Sequence, residues 1–312
     1  MTLRRIVRAW DDFLFRPISP VPVSVYRVLF GTILLVNGLF LLPAAAAFFG
    51  PDGVLPPHLA AQLSGPRHLN VLAWLPPRMG WVYALLTVYL VAAASLTVGW
   101  FTRLSAAIVF VCLASLHHRN VLVLNSGDGF MRLASLYLVF APAGRALSVD
   151  RWLRVRRGLE PPGEPAPAAP WAQRLIQLQL AVVYLATVYW KLHGHMWVDG
   201  TAVYYASRVR EYDRFPVPYV FDHLWTVKLM TWGTLAVEFA LGALVWLRDL
   251  RYPVLLAGVM LHLGLEYSMN IQLFQWVMLT ALVLFIDPRD FRRRPRALVD
   301  TAAPSATQTP AP

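Results

Sequence analysis

The sequence predicts an all-α polytopic membrane protein with about eight transmembrane helices and both termini cytoplasmic. Three observations carry that prediction. Of 312 residues, 57% are apolar and only 14% charged, against about 45–50% and about 25% in soluble globular chains. Eight apolar stretches come close to the roughly 20 helical residues that a hydrocarbon layer demands. The arginines then divide between alternate connecting segments, as the positive-inside rule requires.

Residues 1–22 form a cytoplasmic segment bearing Arg4, Arg5, Arg8 and Arg16. The first stretch, 23–43, follows about 20 residues without a convincing small-residue cleavage site, so it reads as a span and not as a signal peptide. The next three lie at 81–100, 104–124 and 129–143, and the last four at 173–193, 225–247, 252–270 and 271–287. Stretches 129–143 and 271–287 are short and read as tilted or ending in re-entrant turns. A cytoplasmic linker, 144–172, contains the proline-rich run from Gly158 to Pro170. The transmembrane domain so bounded covers 23–290, and 291–312 is a basic, then disordered, cytoplasmic tail.

With the N-terminus inside, the inner segments hold 17 arginines and the outer segments 6. The net charge of +11 is therefore topological, the expected location is a multi-pass cell (inner) membrane, and a nucleic-acid partner loses its support. The single cysteine, Cys112, excludes an intrachain disulfide and a cysteine-based metal cluster. No GxGxxG, GxxxxGK[ST], GxSxG or HExxH motif occurs, which argues against nucleotide, serine-hydrolase and zinc-protease chemistry.

Ionisable groups inside membrane helices cost about 2.5–3.5 kcal/mol each on insertion scales, so they are paired or functional. In the fifth span Gln173, Gln177, Tyr184, Thr187 and Lys191 share one face; in the seventh, His262, Glu266 and Asn270 recur every four residues. Glu238 sits in the middle of the sixth. Such stripes either join helices through hydrogen bonds or line a site. Arg27 and Arg132, near helix ends, read as snorkelling or structural.

The segments HHRNVLVLNSGDG (117–129), KLHGHMWVDG (191–200) and EYSMNIQLF (266–274) all fall at outer helix ends. Together they read as one site. Arg119, Asn120, Asn125 and Asp128 come from the first, Lys191 and Trp197 from the second, and Glu266, Tyr267, Asn270 and Gln272 from the third, with His262 one turn below. Lys191, one of only two lysines in the chain, serves as a base if desolvated or stays charged beside a carboxylate such as Glu266. The alternative is an interfacial lysine snorkelling beside Trp190 and Trp197. The pairs His193/His195 and His117/His118 lack an evident carboxylate partner, and no metal is expected.

RPISPVPVSVYRVLFG (16–31), LTVGWFTRLSAAIVF (96–110), NSGDG (125–129), LSVD (147–150), KLHGHMWVDG (191–200) and MNIQLF (269–274) resemble, in this order, the membrane part of vitamin K-dependent gamma-carboxylases. Those enzymes belong to the wider HTTM ("horizontally transferred transmembrane") group, and the resemblance covers about residues 16–290. It implies an enzyme in which reduced vitamin K is deprotonated, reacts with oxygen and becomes a strong base. That base removes a gamma proton from a protein glutamate, and the carbanion captures carbon dioxide. By the same resemblance Lys191 is the initiating base, reduced vitamin K or menaquinol the cofactor, and a small protein or peptide a substrate, with membrane lipid or quinone as partner.

The pattern also departs from those enzymes. Trp190-Lys191 stands where the carboxylases carry two lysines, and one extra residue precedes Trp197. Gly127 and Tyr267 occupy positions where they have functional histidines, and about 25 residues follow the last span where they have a large lumenal domain. The expected function is an outward-facing cavity with quinol- or lipid-linked chemistry at Lys191. The alternative is a non-enzymatic accessory, immunity or lipid- or small-molecule-binding protein using the same cavity.

Overall fold

The structure, a computed structural model, describes residues 3–64, 69–217, 219 and 221–291. Arg67 and the basic tail from Arg292 onward, both counted in the charge argument, lie outside the described residues. Every apolar stretch contains helix. In chain order the helices are α1 (Leu3–Phe15), α2 (Val21–Phe49), α3 (Pro57–Ser64), α4 (Met79–Val98), α5 (Thr102–Arg119), α6 (Ser126–Phe140) and α7 (Val149–Arg156). They continue with α8 (Trp171–Leu192), the short α9 (His195–Val198) and α10 (Ala202–Ala206), α11 (Leu224–Phe239), α12 (Arg251–Ser268) and α13 (Phe274–Leu282). A π turn, Ala240–Leu244, prolongs α11, and a 3₁₀ turn, Val283–Phe285, prolongs α13. Among the described residues there is no strand, only isolated bridges between Ile18 and Ala168 and between Asp213 and Met269.

Among the described residues four helices are long and apolar enough to cross a membrane: α2, α4, α8 and α11 with its π turn. The other four predicted stretches hold shorter or more polar helices; α5, for instance, ends in His117, His118 and Arg119. Helix α1 was not among the expected elements. Its apolar residues Leu3, Ile6, Val7, Trp10 and Phe13 recur at helical spacing, Arg4, Arg5 and Arg8 lie between them, and none of its residues is buried. That is the pattern of a helix lying in a membrane surface.

Helices α2, α4, α5 and α6 pack in sequence, α6 meets α8, and α8 meets α11. Helix α11 meets α12, α12 meets α13, and α13 returns to α2 while also touching α6 and α8. The last helix therefore closes a ring. Its interior is filled by Tyr26, Phe30, Leu34, Tyr89, Phe130 and Ile176, all within 2% of complete burial. Glycine permits a close approach of α2 and α4: a Cβ at Gly31 would lie 2.7 Å from Thr97 Oγ1. Outward, Val91, Leu104, Val182, Leu229, Leu256 and Met260 are exposed. Large apolar side chains exposed on so many of the helices suit lipid.

One end of the bundle is fastened by a polar clasp. Arg27, fully buried, donates from Nη1 to the carbonyls of Leu96 (2.9 Å) and Thr97 (3.2 Å) and from Nη2 to that of Leu147 (2.5 Å). Asp150 accepts from the backbone N–H groups of Phe101 and Thr102, each at 2.8 Å, and from Thr102 Oγ1 at 2.7 Å. Helix α4 stops at Gly99, whose φ of 73° suits glycine. A Cβ there would lie 2.0 Å from Arg27 Nη1. Of the two readings given for Arg27, the structural one holds: its guanidinium satisfies terminal helix carbonyls in the interior and does not reach out to headgroups.

Candidate functional site

Lys191 lies in the last turn of α8. Its Nζ donates to Oε1 of Glu238 on α11 at 2.5 Å, and the two side chains are 20% and 10% exposed. The chain turns at His193 and Gly194, and α9 brings Trp197 back so that Lys191 Nζ sits 4.4 Å from the centre of its ring. Gly200, at φ 78°, makes the next turn; a Cβ there would stand 2.9 Å from Lys228 Cγ and 3.0 Å from Trp232 Cε2. Trp232 Nε1 donates to Val198 O at 3.3 Å, fixing α9 against α11. The second oxygen of Glu238, Oε2, is buried and has no hydrogen-bond partner.

Deeper in the bundle, Tyr184 Oη lies 2.7 Å from His262 Nε2, and His262 Nδ1 lies 2.5 Å from Gln275 Oε1. Tyr184, His262 and Gln275 are all buried, and Gln275 Nε2 has no partner. Helices α8, α11, α12 and α13 thus each direct a polar side chain inward. Sequence reasoning found Tyr184 and His262 on their stripes but missed Gln275, whose signal was a glutamine inside an otherwise apolar run.

The residues expected to gather at the outer ends divide into separate groups. Glu266 is not the partner of Lys191: its carboxylate is taken by Arg214, which also donates to the Glu266 carbonyl at 2.9 Å. Tyr267 Oη donates to Pro216 O at 3.3 Å, and Asn270 N–H to Tyr212 O at 2.7 Å. These three residues tie the loop after α10 across the end of α12.

Arg119 donates to Leu55 O at 2.7 Å and Gly50 O at 2.5 Å, and Asn120 Nδ2 to Phe48 O at 2.8 Å, so both hold the chain leaving α2. Asn125 and Asp128 form a capping box: Asn125 Oδ1 accepts Gly127 N–H at 2.7 Å, and Asp128 Oδ2 accepts Asn125 N–H at 2.7 Å. With Gln272 and His117 they line a cavity of about 220 Å³ between α2, α5, α6 and the start of α13. Within it His117 Nε2 lies 4.0 Å from Asp128 Oδ1, while His117 Nδ1 has no partner. A Cβ at Gly127 would come within 2.9 Å of Phe274 Cδ2, so a histidine here requires Phe274 to move.

Of the four histidines read as lacking a carboxylate partner, two have one nearby, the first being His117 beside Asp128. The second is His195, with Nδ1 2.8 Å from Asp199 Oδ2 one turn on. Arg132, for its part, is structural, with Nη1 3.1 Å from His118 Nε2. Among the described residues no group of three or more His, Cys, Asp or Glu side chains is placed to hold a metal ion.

Apolar helices of spanning length, an apolar exterior and an ion pair between two of those helices define a multi-pass helical membrane protein with a polar centre. The chain belongs to the HTTM domain family, which matches residues 58–289. A relative in Bacillus subtilis (strain 168), the uncharacterized protein YitO, is 28% identical over 123 residues. That alignment covers 37% of this chain and 39% of the length of YitO. No solved structure matches the chain.

Proposed function

We propose that this chain crosses the inner membrane eight times with both termini cytoplasmic, holds a quinol-class ligand at the outer end of the bundle, and handles the ligand's proton through Lys191 and Glu238. The reading rests on one observation. Glu238 uses one oxygen to hold Lys191 and keeps the other buried and unpartnered, which leaves an acceptor for a ligand hydroxyl. A buried acceptor without a partner costs roughly 1–3 kcal/mol, so a bound donor there is favoured.

The residues present fit a reduced vitamin K or menaquinol in two respects: the free Glu238 oxygen suits a ring hydroxyl, and the Trp197 face suits an aromatic ring. When bound, such a ligand supplies an ionisable hydroxyl on a redox-active ring. Lys191 Nζ and Glu238 Oε1 share one hydrogen bond, so the two side chains act on a ligand together. Glu238 accepts a proton, and the Lys191 ammonium beside it stabilises the negative charge left on the donor. Trp197 lies against the lysine ammonium and holds it beside Glu238 through a cation–π contact. Glutamate carboxylation is not part of the proposal, because the chain has Gly127 and Tyr267 at the histidine positions. The first is crowded by Phe274, and the second is engaged with the loop over α12.

A second reading, binding without chemistry, is favoured by the ion pairing of Lys191, which makes it a ligand-holding cation and not a free amine. Both readings are tested by Lys191→Ala and Lys191→Arg. The purified variants are extracted with organic solvent, co-purifying quinone is quantified, and the fold is checked by circular dichroism. Both should lose the ligand. Arginine fails because its planar fork pairs with both oxygens of Glu238 and closes the open acceptor. Wild-type quinone content in Lys191→Arg would reduce Lys191 to an interfacial anchor. A wild-type protein free of quinone would reject the ligand class.

A further inference from the structure

At the other end of α8 from Lys191, a cavity of about 810 Å³ lies among the chain before α2, the start of α8, the end of the π turn, the start of α12 and the end of α13. Among the described residues Arg16, Arg174, Arg248, Arg251 and Arg289 line it against Glu164 and Asp287, a net charge of +3. Asp287 is already committed: its Oδ2 lies 3.8 Å from Arg251 Nη1 and its Oδ1 accepts Arg289 N–H at 2.9 Å. Arg174 is also engaged, donating to Phe13 O at 3.3 Å and to Gln177 Oε1 at 2.9 Å. The guanidinium groups of Arg16 and Arg248 have no ion pair with any described carboxylate. So many like charges at the mouth of a low-dielectric bundle repel one another unless an anion sits between them.

The position of α1 says which kind of anion is at hand. Arg174 stacks 4.7 Å over the Phe13 ring, and Phe13 meets Trp246 edge-on at 5.7 Å, so the end of α1 forms part of the cavity's surroundings. The apolar side of α1 is exposed at Leu3, Val7 and Trp10. An amphipathic helix of this kind lies in the headgroup layer, and the cavity beside it opens at the same depth. Guanidinium forks match phosphate oxygens in geometry and charge. We infer that this arginine cavity seats a phosphate group, that of an anionic glycerophospholipid drawn from the adjoining leaflet. Arg16 and Arg248 grip the phosphate, and Arg174 and Arg251 set the positive floor.

The test uses the purified full chain, delipidated in non-ionic detergent and titrated with phosphatidylglycerol or phosphatidylcholine, with bound lipid counted by native mass spectrometry. Phosphatidylglycerol should be retained in preference. Arg16→Gln and Arg248→Gln should each weaken that preference about fivefold, and the double variant should nearly abolish it. Both side chains are exposed, so thermal melts should stay at the wild-type value. Arg78→Gln, exposed at the opposite end of the bundle, serves as the control and should bind as wild type. A further arm adds inorganic phosphate. Full displacement of the lipid assigns the seat to the phosphate group alone, and none assigns it to the tethered lipid headgroup; either supports the proposal. Equal retention of the two lipids by wild type, or unchanged binding in the double variant, would overturn it.

Discussion

Removing one member of the Lys191–Glu238 pair should cost more than removing both. At 2.5 Å and an effective dielectric of about 20, the attraction between the charges is roughly 6–7 kcal/mol. Desolvating two ions costs several kcal/mol each, so the pair as a whole is close to neutral for stability. A lone survivor is different, because it keeps its desolvation cost and loses its partner, at about 3–5 kcal/mol for a buried pair. Lys191 retains 20% exposure, which places this case near the lower end, about 3 kcal/mol. The variants are Lys191→Met, Glu238→Leu and the double change, each unfolded reversibly by sodium dodecyl sulfate in mixed micelles and followed by tryptophan fluorescence. Each single variant should lose about 3 kcal/mol and the double much less, a coupling of at least about 3 kcal/mol. Additive losses, with coupling under about 0.5 kcal/mol, would show that the two charges do not sustain one another.

Three other outcomes follow from the same geometry. Reporter fusions after Arg157 should read cytoplasmic and fusions at Ser207 external, since the arginine excess sets orientation; an external signal at Arg157 would overturn the eight-crossing arrangement. Gly99→Ala puts a Cβ 2.0 Å from Arg27 Nη1 at a φ of 73°, so it should cost about 2 kcal/mol or more through the backbone and the displaced hydrogen bonds. A wild-type melting curve for that variant would mean the clasp is dispensable. In the linker, partial burial raises the Glu160 carboxyl, but hydrogen bonds from Arg154 and Arg151 and their charges outweigh it and hold the group below the ordinary carboxylate range. Its stabilisation is therefore complete above the unfolded value of about 4.3 and is lost as pH falls through the lower folded value. Wild type and Glu160→Gln should differ slightly at pH 7 and converge in acid; a constant gap down to pH 3 would contradict the pairing.

The helices were legible because each apolar run is long enough to declare itself, and Arg27, Lys191 and Glu238 stood out as charges where charge is costly. The partner of Lys191 was not legible. Periodicity tells which residues share a face of one helix, and it put Glu266 and His262 on one stripe. It does not tell which neighbouring helix that face meets, and the packing of α8 on α11 sets Glu238, not Glu266 at the end of α12, against Lys191. The π turn after Glu238 is likewise invisible to a period of 3.6. By contrast, the pairing of His195 with Asp199 could have been read from their spacing of four, and α1 from its alternation of arginines with Leu3, Val7 and Trp10.

The clasp has an implication for what membership of this family can convey. Arg27, the turn at Gly99 to Thr102, and Leu147 to Asp150 belong to three of the segments that carry the family resemblance, and they meet at one knot far along the bundle from Lys191. That knot specifies how the helices are moored; it is indifferent to what happens at their far ends. Three of the six segments that carry the resemblance thus lie at the mooring, and the family match over residues 58–289 takes in two of the clasp's three parts. A member can change its reactive residues while leaving the mooring intact, and would still be recognised as kin. Kinship carried by the mooring transmits an architecture, and the residues at the Lys191 end have to be tested on their own in each member.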